Sequence, residues 1–205
     1  MKYAQSCWLI MVLIWPVSVF SVELETLVQA CDSCHGPQGN SSENDMPTIA
    51  GQPSSYLQAT MQSYQVRGRP CIKSAYRHGD TSQPVTTMCK LSQGMADGEI
   101  EAVSQYYAAQ EFVAAQQDFD EAKAAAGGDL HEIHCETCHA MGGSIAGRGP
   151  RLAGQWAHYL KAALRQASGG EHLVPPVMEK RLNDFSAEEI DALVNFYASQ
   201  QNQAQ

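Results

Sequence analysis

An all-α fold made of two tandem domains related by internal duplication is the architecture that this 205-residue sequence predicts. Three observations carry the prediction. The pentapeptide C-x-x-C-H occurs twice, as Cys31-Asp-Ser-Cys34-His35 and Cys135-Glu-Thr-Cys138-His139. The residues that follow stay in order. Cys31 maps to Cys135 with an offset of 104. Pro47, Gly51-Gln52 and Tyr56-Leu57 map to Pro150, Gly154-Gln155 and Tyr159-Leu160 with an offset of 103. Met88, Ile100 and Tyr107 map to Met178, Ile190 and Tyr197 with an offset of 90. Finally, apolar residues recur at helical spacing, and no run shows the period-2 alternation of a half-buried strand. The fall from 103 to 90 puts 13 extra residues in the first half, a segment that includes Cys71 and Arg77-His78-Gly79-Asp80. A fixed order of elements with one length change is the mark of duplicated domains.

The elements follow in chain order. Lys2 precedes an apolar run from Trp8 to Phe20, broken by Pro16 and too short to span a bilayer comfortably. It reads as a secretory signal peptide over residues 1–21, cleaved after Ser21 with Val19 at the −3 position. The alternative is an uncleaved N-terminal anchor. Cys7 lies too early in the run to be a lipobox cysteine. The first domain, residues 22–112, contains helices at 23–34, 54–66 and 97–109. The second of these follows Pro53 and aligns Tyr56, Leu57 and Met61, and the third aligns Ile100, Val103 and Tyr107. Residues 113–127 read as a linker, with a connecting helix at 118–126 that stops at Gly127-Gly128. The second domain, residues 128–205, repeats the pattern with helices at 128–138, 156–166 and 187–199. The last is capped by Ser186, with Glu189 completing a capping box.

Composition narrows the function. Without residues 1–21 the chain is about 184 residues long and carries 12 basic against 22 acidic groups, a net charge of −10. That disfavours nucleic acid or an anionic membrane surface as a partner, and suits a soluble protein that meets a basic patch on a redox partner. Six of the seven cysteines follow the signal segment, and four belong to the pentapeptides. Cys71 and Cys89 remain, and in an oxidising compartment they are expected to pair. The alternative is two separate thiols. Each half is about 80 to 90 residues with few large apolar side chains, near the lower limit for independent stability.

The pentapeptides supply the chemistry. On a helix, positions i, i+3 and i+4 share one face. Two thiols can then bond one edge of a porphyrin while the next residue, His, faces the iron, which is the attachment signature of c-type haem. Two covalently bound haem c groups are therefore expected, on Cys31 and Cys34 and on Cys135 and Cys138. Each would also bury apolar surface that its half lacks. A redox dithiol would want a βαβ context, and a structural zinc four closed ligands; neither fits two motifs that each continue into His. His35 and His139 are the proximal ligands in this reading. An electron-transfer haem needs a second axial ligand, and Met raises its potential relative to a second His. Met61 sits on a helical stripe, Met95 matches Phe185 in the repeat, and Met141 lies too close to His139 to cross to the other side. Met88 and Met178 match each other in what read as irregular segments, Met178 just after Pro175-Pro176, and are the predicted distal ligands. His78, His131, His134, His158 and His172 are read as surface or interfacial. Pro47 and Pro150 stand at matching places, and their carbonyls are the natural acceptors for the ligand imidazoles.

These residues resemble the diheme cytochrome c₄ family. The shared pattern is C-x-x-C-H, then Pro47-Thr-Ile-Ala-Gly-Gln52 with Tyr56-Leu57 and Pro150-Arg-Leu-Ala-Gly-Gln155 with Tyr159-Leu160, then the Met, then a helix ending in two aromatics. The resemblance covers nearly all of the chain after the signal segment. It implies two class I cytochrome c folds with haem propionate edges facing each other, and the same ligands, Met88 and Met178. Cys71 and Cys89 depart from the family pattern. The second half is also similar to the diheme subunit of flavocytochrome c sulfide dehydrogenase, through Phe119-Asp120, Leu130-His131-Glu132, Gly154-Gln155-Trp156 and Phe196-Tyr-Ala-Ser-Gln-Gln201.

Three functions follow as expectations. The first is a periplasmic carrier passing electrons between redox proteins, such as a membrane oxidase or reductase, and not itself an enzyme. The second is the electron-accepting subunit of a flavoprotein dehydrogenase. The third, a catalytic diheme enzyme, would need an open or unusual axial position, for example Cys89 in place of Met88. No nucleophile–base pair or phosphate-binding loop is present in the sequence.

Overall fold

The computed structural model describes residues 18–145 and 149–201, with side chains from residue 23 onward. Most of the segment read as a signal peptide, residues 1–17, lies outside the described residues. Eight α-helices follow one another: α1 Ser18–His35, α2 Ser54–Gln65, α3 Met88–Gln93, α4 Asp97–Ala108, α5 Glu121–His134, α6 Ala157–Ser168, α7 Pro176–Asn183 and α8 Ala187–Ser199. The repeat is visible in them, since α1 to α4 recur as α5 to α8. The only extended pairing among the described residues is a single antiparallel bridge, Ser74 with Thr86, inside the first-half insertion. No helix among the described residues is long and apolar enough to cross a membrane.

Each half has its own core. In the first, Val28, Leu57, Val103 and Tyr107 are buried, with Leu24, Leu27, Ile49, Tyr56 and Met95 packed around them. In the second, Leu152, Leu160, Leu164, Leu182, Ile190, Leu193, Val194 and Tyr197 form a larger cluster. The first half compensates with a covalent tie. Cys71 and Cys89 form a disulfide, so the insertion is pinned to the second residue of α3. The two sulfurs lie 4.0 and 3.9 Å from the carbonyl oxygen of Arg69.

The structure corrects the sequence reading at three places. The connecting helix and the first helix of the second domain are one element, because α5 runs straight through Gly127-Gly128. Gly127 is not a stop. A Cβ there would lie 2.0 Å from the backbone oxygen of Ala192, so the glycine lets α5 and α8 touch backbone to backbone. The second pentapeptide is not helical, since α5 ends at His134 with Cys135 as its cap. Tight turns replace the helix, and the bonds Cys138 N to Cys135 O (3.1 Å) and His139 N to Cys135 O (3.0 Å) preserve helical spacing within the motif. Met88 and Met178 are in short helices rather than irregular loops. Met88 begins α3 behind the N-cap Thr87, whose hydroxyl accepts from Lys90 N. Pro176 begins α7 at a position where its missing N–H costs nothing.

The halves meet across a buried seam. Trp156 Nε1 donates to Ser41 O at 2.9 Å, Tyr159 N to Asn44 O at 3.1 Å and Leu173 N to Gly68 O at 2.7 Å. The chain between α4 and α5 is laid along both halves: Val113 N donates to Asn40 Oδ1 and Ala115 N to Gly154 O.

The α5–α8 contact is testable with two neighbouring glycines. Gly127→Ala is expected to cost about 2 kcal/mol of unfolding free energy in the haem-loaded protein, because backbone must move to admit the methyl group. Gly128→Ala meets only the Phe196 ring at 3.4 Å and is expected to be neutral or to gain up to about 0.5–1 kcal/mol of helix preference. Denaturant titration measures both, and equal losses would refute the close crossing.

Candidate haem centres

The first centre is built on the end of α1. Cys31, Cys34 and His35 occupy its last turn, and Gly36, at φ 79°, ends the helix. His35 is buried, 6 % exposed, and its Nδ1 lies 2.9 Å from the carbonyl oxygen of Pro47. That contact assigns the proton to Nδ1 and leaves Nε2 with a free lone pair, as a metal-binding imidazole requires. Burial lowers the His35 pKa, against the opposing pull of the Pro47 carbonyl, so the neutral, ligating form dominates. The insertion folds over this turn, with Arg77 N and His78 N both donating to Ser33 O. Arg77 makes a two-point ion pair with Asp45.

The second centre repeats the arrangement from turns. His139 is 7 % exposed, and its Nδ1 lies 3.0 Å from Pro150 O. Burial again lowers its pKa, with the Pro150 carbonyl opposing. Burial raises Cys135 and Cys34, and pushes Cys31 up to about 11. A redox dithiol or a zinc-binding thiolate needs the opposite shift.

The polar supports of the two centres differ. In the first, the Tyr107 hydroxyl donates to Asp32 Oδ1 at 2.8 Å. In the second, the matching Tyr197 and Glu136 are separated by a third residue: His131 Nδ1 is 2.9 Å from Tyr197 Oη, and His131 Nε2 is 2.8 Å from Glu136 Oε2. Glu136 also accepts from Met141 N and Gly142 N, and these contacts hold its pKa down. His131 is 2 % exposed, so the reading that put it at the surface is wrong. The repeat held the signal. His131 falls opposite Leu27, a residue packed on the first core. His172 also lies inside, with its Nδ1 buried and unpartnered. Burial, then the charge of Arg69, lowers its pKa to about 4. His158 is exposed, and His134 packs edge-on against Phe185 while accepting from Arg181.

Both predicted methionines are half-buried, and Met178 packs on the second core. Met61 and Met95 remain in the first half as stripe and packing residues, Met95 against Tyr107 and its neighbours. The disulfide commits Cys89 to Cys71, which removes it as a substitute for Met88 and with it the basis for an unusual first axial site.

One further feature bears on whether haem fits. Arg69 is 5 % exposed, and none of the ion pairs among the described residues involves it. Its guanidinium donates to Thr60 Oγ1 at 3.2 Å and lies over the Tyr64 ring, with Tyr56 and Tyr159, one tyrosine from each half, close by. A buried cation without an anion is costly. A cofactor that brings carboxylates into the seam removes that cost, and haem carries two. The residues fit the group.

Comparison with known proteins agrees. The family model described as cytochrome c matches residues 23–109, and the model described as cytochrome c oxidase, cbb3-type, subunit III matches residues 122–196. Cytochrome c4 of Azotobacter vinelandii is 28% identical over 142 residues, 65% of this chain and 65% of that protein. The chain thus matches a little under two thirds of that relative's length. The crystal structure of reduced recombinant cytochrome c4 from Pseudomonas stutzeri superposes with a TM-score of 0.68 at 23% identity, covering 88% of this chain and 97% of that one. A thiosulfate dehydrogenase from Marichromatium purpuratum gives a TM-score of 0.70 at 27% identity, covering 87% of this chain but 40% of that one. Two pentapeptides, two buried imidazoles tied to matching carbonyls and two matched cytochrome domains lead to one conclusion: the chain consists of two tandem cytochrome c domains, similar in arrangement to cytochrome c4, that bind two covalent haem c groups.

Proposed function

We propose that this protein is a periplasmic electron carrier in which His35 and Met88 hold one iron and His139 and Met178 the other, within haem-bearing units at 22–112 and 128–205. The observation that carries the reading is the pair of buried imidazoles, each neutral and each fixed through Nδ1 to a proline carbonyl. Haem, when bound, supplies a one-electron iron couple. The chain's residues do the rest. Cys31, Cys34, Cys135 and Cys138 anchor the porphyrin edges, and the histidines keep Nε2 available. The methionines, as weak thioether donors, would favour the reduced iron and leave it no open site for a substrate. Arg69, beside Tyr56 and Tyr159, would hold propionate charge in the seam. The acidic surface, net −10 after the signal segment, steers the protein toward a basic patch on its redox partners.

A second reading has one observation in its favour. The likeness to the thiosulfate dehydrogenase covers most of this chain and less than half of that one, as it would if a similar module served inside a larger enzyme. In that reading the chain is the electron-accepting part of a sulfur-compound dehydrogenase, whose other part is a flavoprotein or a further haem protein. Gel filtration of the native protein separates the two. Haem at the mass of one chain, without flavin or a second polypeptide, supports the free carrier. Co-elution in fixed proportion at a larger mass supports the subunit.

The ligand assignment has its own test. Met88→His and Met178→His are each expected to lower the midpoint potential of one haem on the order of 100–200 mV, within the ~0.8 V that axial ligands span. Potentiometric titration followed in the visible spectrum reads this, and an unchanged pair of potentials would remove that Met from the iron. Arg69→Met is expected to destabilise the haem-loaded protein by about 3–5 kcal/mol, the cost of leaving a buried partner charge unpaired. Thermal unfolding measures it, and a loss below about 1 kcal/mol would remove the ion pair.

A further inference from the structure

The seam between the halves contains a symmetric exchange of glutamine side chains. Gln155, from the second half, reaches Thr48 in the first: Thr48 N donates to Gln155 Oε1 at 2.9 Å, and Gln155 Nε2 donates to Thr48 O at 2.8 Å. Gln52, from the first half, does the same to Arg151: Arg151 N donates to Gln52 Oε1 at 2.9 Å, and Gln52 Nε2 donates to Arg151 O at 3.1 Å. All four residues are 2–4 % exposed. Thr48 and Arg151 directly follow the prolines whose carbonyls accept from His35 and His139.

The glutamine oxygen in each exchange therefore acts on the same peptide unit that the histidine binds. The Pro47–Thr48 unit accepts from His35 Nδ1 on its oxygen and donates to Gln155 from its nitrogen. The Pro150–Arg151 unit accepts from His139 Nδ1 and donates to Gln52. The peptide group is conjugated and planar. An acceptor that draws on its N–H shifts electron density to its oxygen, and in a buried, low-dielectric setting such bonds strengthen one another by roughly 10–30%. A more basic carbonyl holds the Nδ1 proton harder. The imidazole becomes a stronger donor through Nε2, which favours oxidised iron.

We propose that Gln155 and Gln52 are crossed positioning residues: each tunes the histidine of the opposite half through the intervening peptide, so that neither haem has its potential set by its own domain alone. The inference rests on the proposed ligation by His35 and His139. The two arms are unequal. Gln155 Oε1 also accepts from Trp156 N at 3.2 Å, whereas the residue after Gln52 is Pro53, which has no N–H. Gln52 thus gives its oxygen undivided to Arg151, and its effect on the second haem is the larger.

The experiment is a potentiometric titration of the haem-loaded full chain carrying Gln155→Met or Gln52→Met, which keep the length and remove the acceptor. The haems are distinguished by combining each change with Met88→His. Gln155→Met is expected to raise the first haem's potential and leave the second nearly fixed. Gln52→Met is expected to raise the second, by about threefold in the oxidised-to-reduced ratio at fixed potential, or about 30 mV at 59 mV per tenfold for one electron. Gln155→Glu and Gln52→Glu restore an acceptor and are expected to shift the same haem the other way, which keeps the test available if a Met variant fails to load haem. A shift confined to the variant's own half, or no shift at the opposite haem while both haems keep their His/Met spectra, overturns the inference. Loss of the histidine-ligated spectrum in the unaltered protein would instead overturn the ligation reading.

Discussion

An imidazole that is to bind iron must stay neutral, must keep one nitrogen free and must not turn. In this protein all three conditions are served by one contact that occurs twice, Nδ1 against a proline carbonyl. The neighbouring structure serves that contact. The carbonyl has to be brought back over the turn that carries His, and in each half a glycine with positive φ makes the return. Gly39 O accepts from Ile49 N and Ala50 N, and Gly143 O from Leu152 N and Ala153 N. A side chain at Gly39 would meet the Tyr107 ring at 2.7 Å, so the buried tyrosine fills the space that the missing Cβ leaves.

Duplication preserved that geometry while the surroundings diverged. One half presents its pentapeptide from within a long helix and secures a small core with an insertion and a disulfide. The other has the larger core, ends its helix before the motif, and inserts His131 between a tyrosine and a carboxylate that touch directly in the first half. The closeness of α5 and α8, permitted by Gly127, brings His131 within reach of Tyr197. A helix crossing and a polar triad are thus parts of one solution.

The repeat made most of this legible. Matched offsets located both motifs, both prolines, and nine of the helix ends to within two residues, because each rests on a local signal such as a cap, a proline or an apolar stripe. The errors have a common cause. Gly127-Gly128 was read by its conformational freedom, although its place is decided by the backbone of Ala192, 65 residues beyond Gly127. Met178 was read as lying in a loop because of Pro175-Pro176, whereas a proline opens a helix as readily as it breaks one. His131 was judged by residue type, when the position opposite it in the repeat, Leu27, faces a core. In each case a contact distant in sequence overrode a sound local preference.

The disulfide has a consequence for how the protein is made. Six cysteines follow the apolar segment at the start of the chain, and the fold joins only one pair of them. An oxidant able to close Cys71 to Cys89 is equally able to close Cys31 to Cys34, which would consume the thiols before the porphyrin arrives. Burial that keeps Cys31 protonated slows its exchange, since the thiolate is the attacking species. Maturation is therefore a race between two oxidations, and the fold itself handicaps the wrong one.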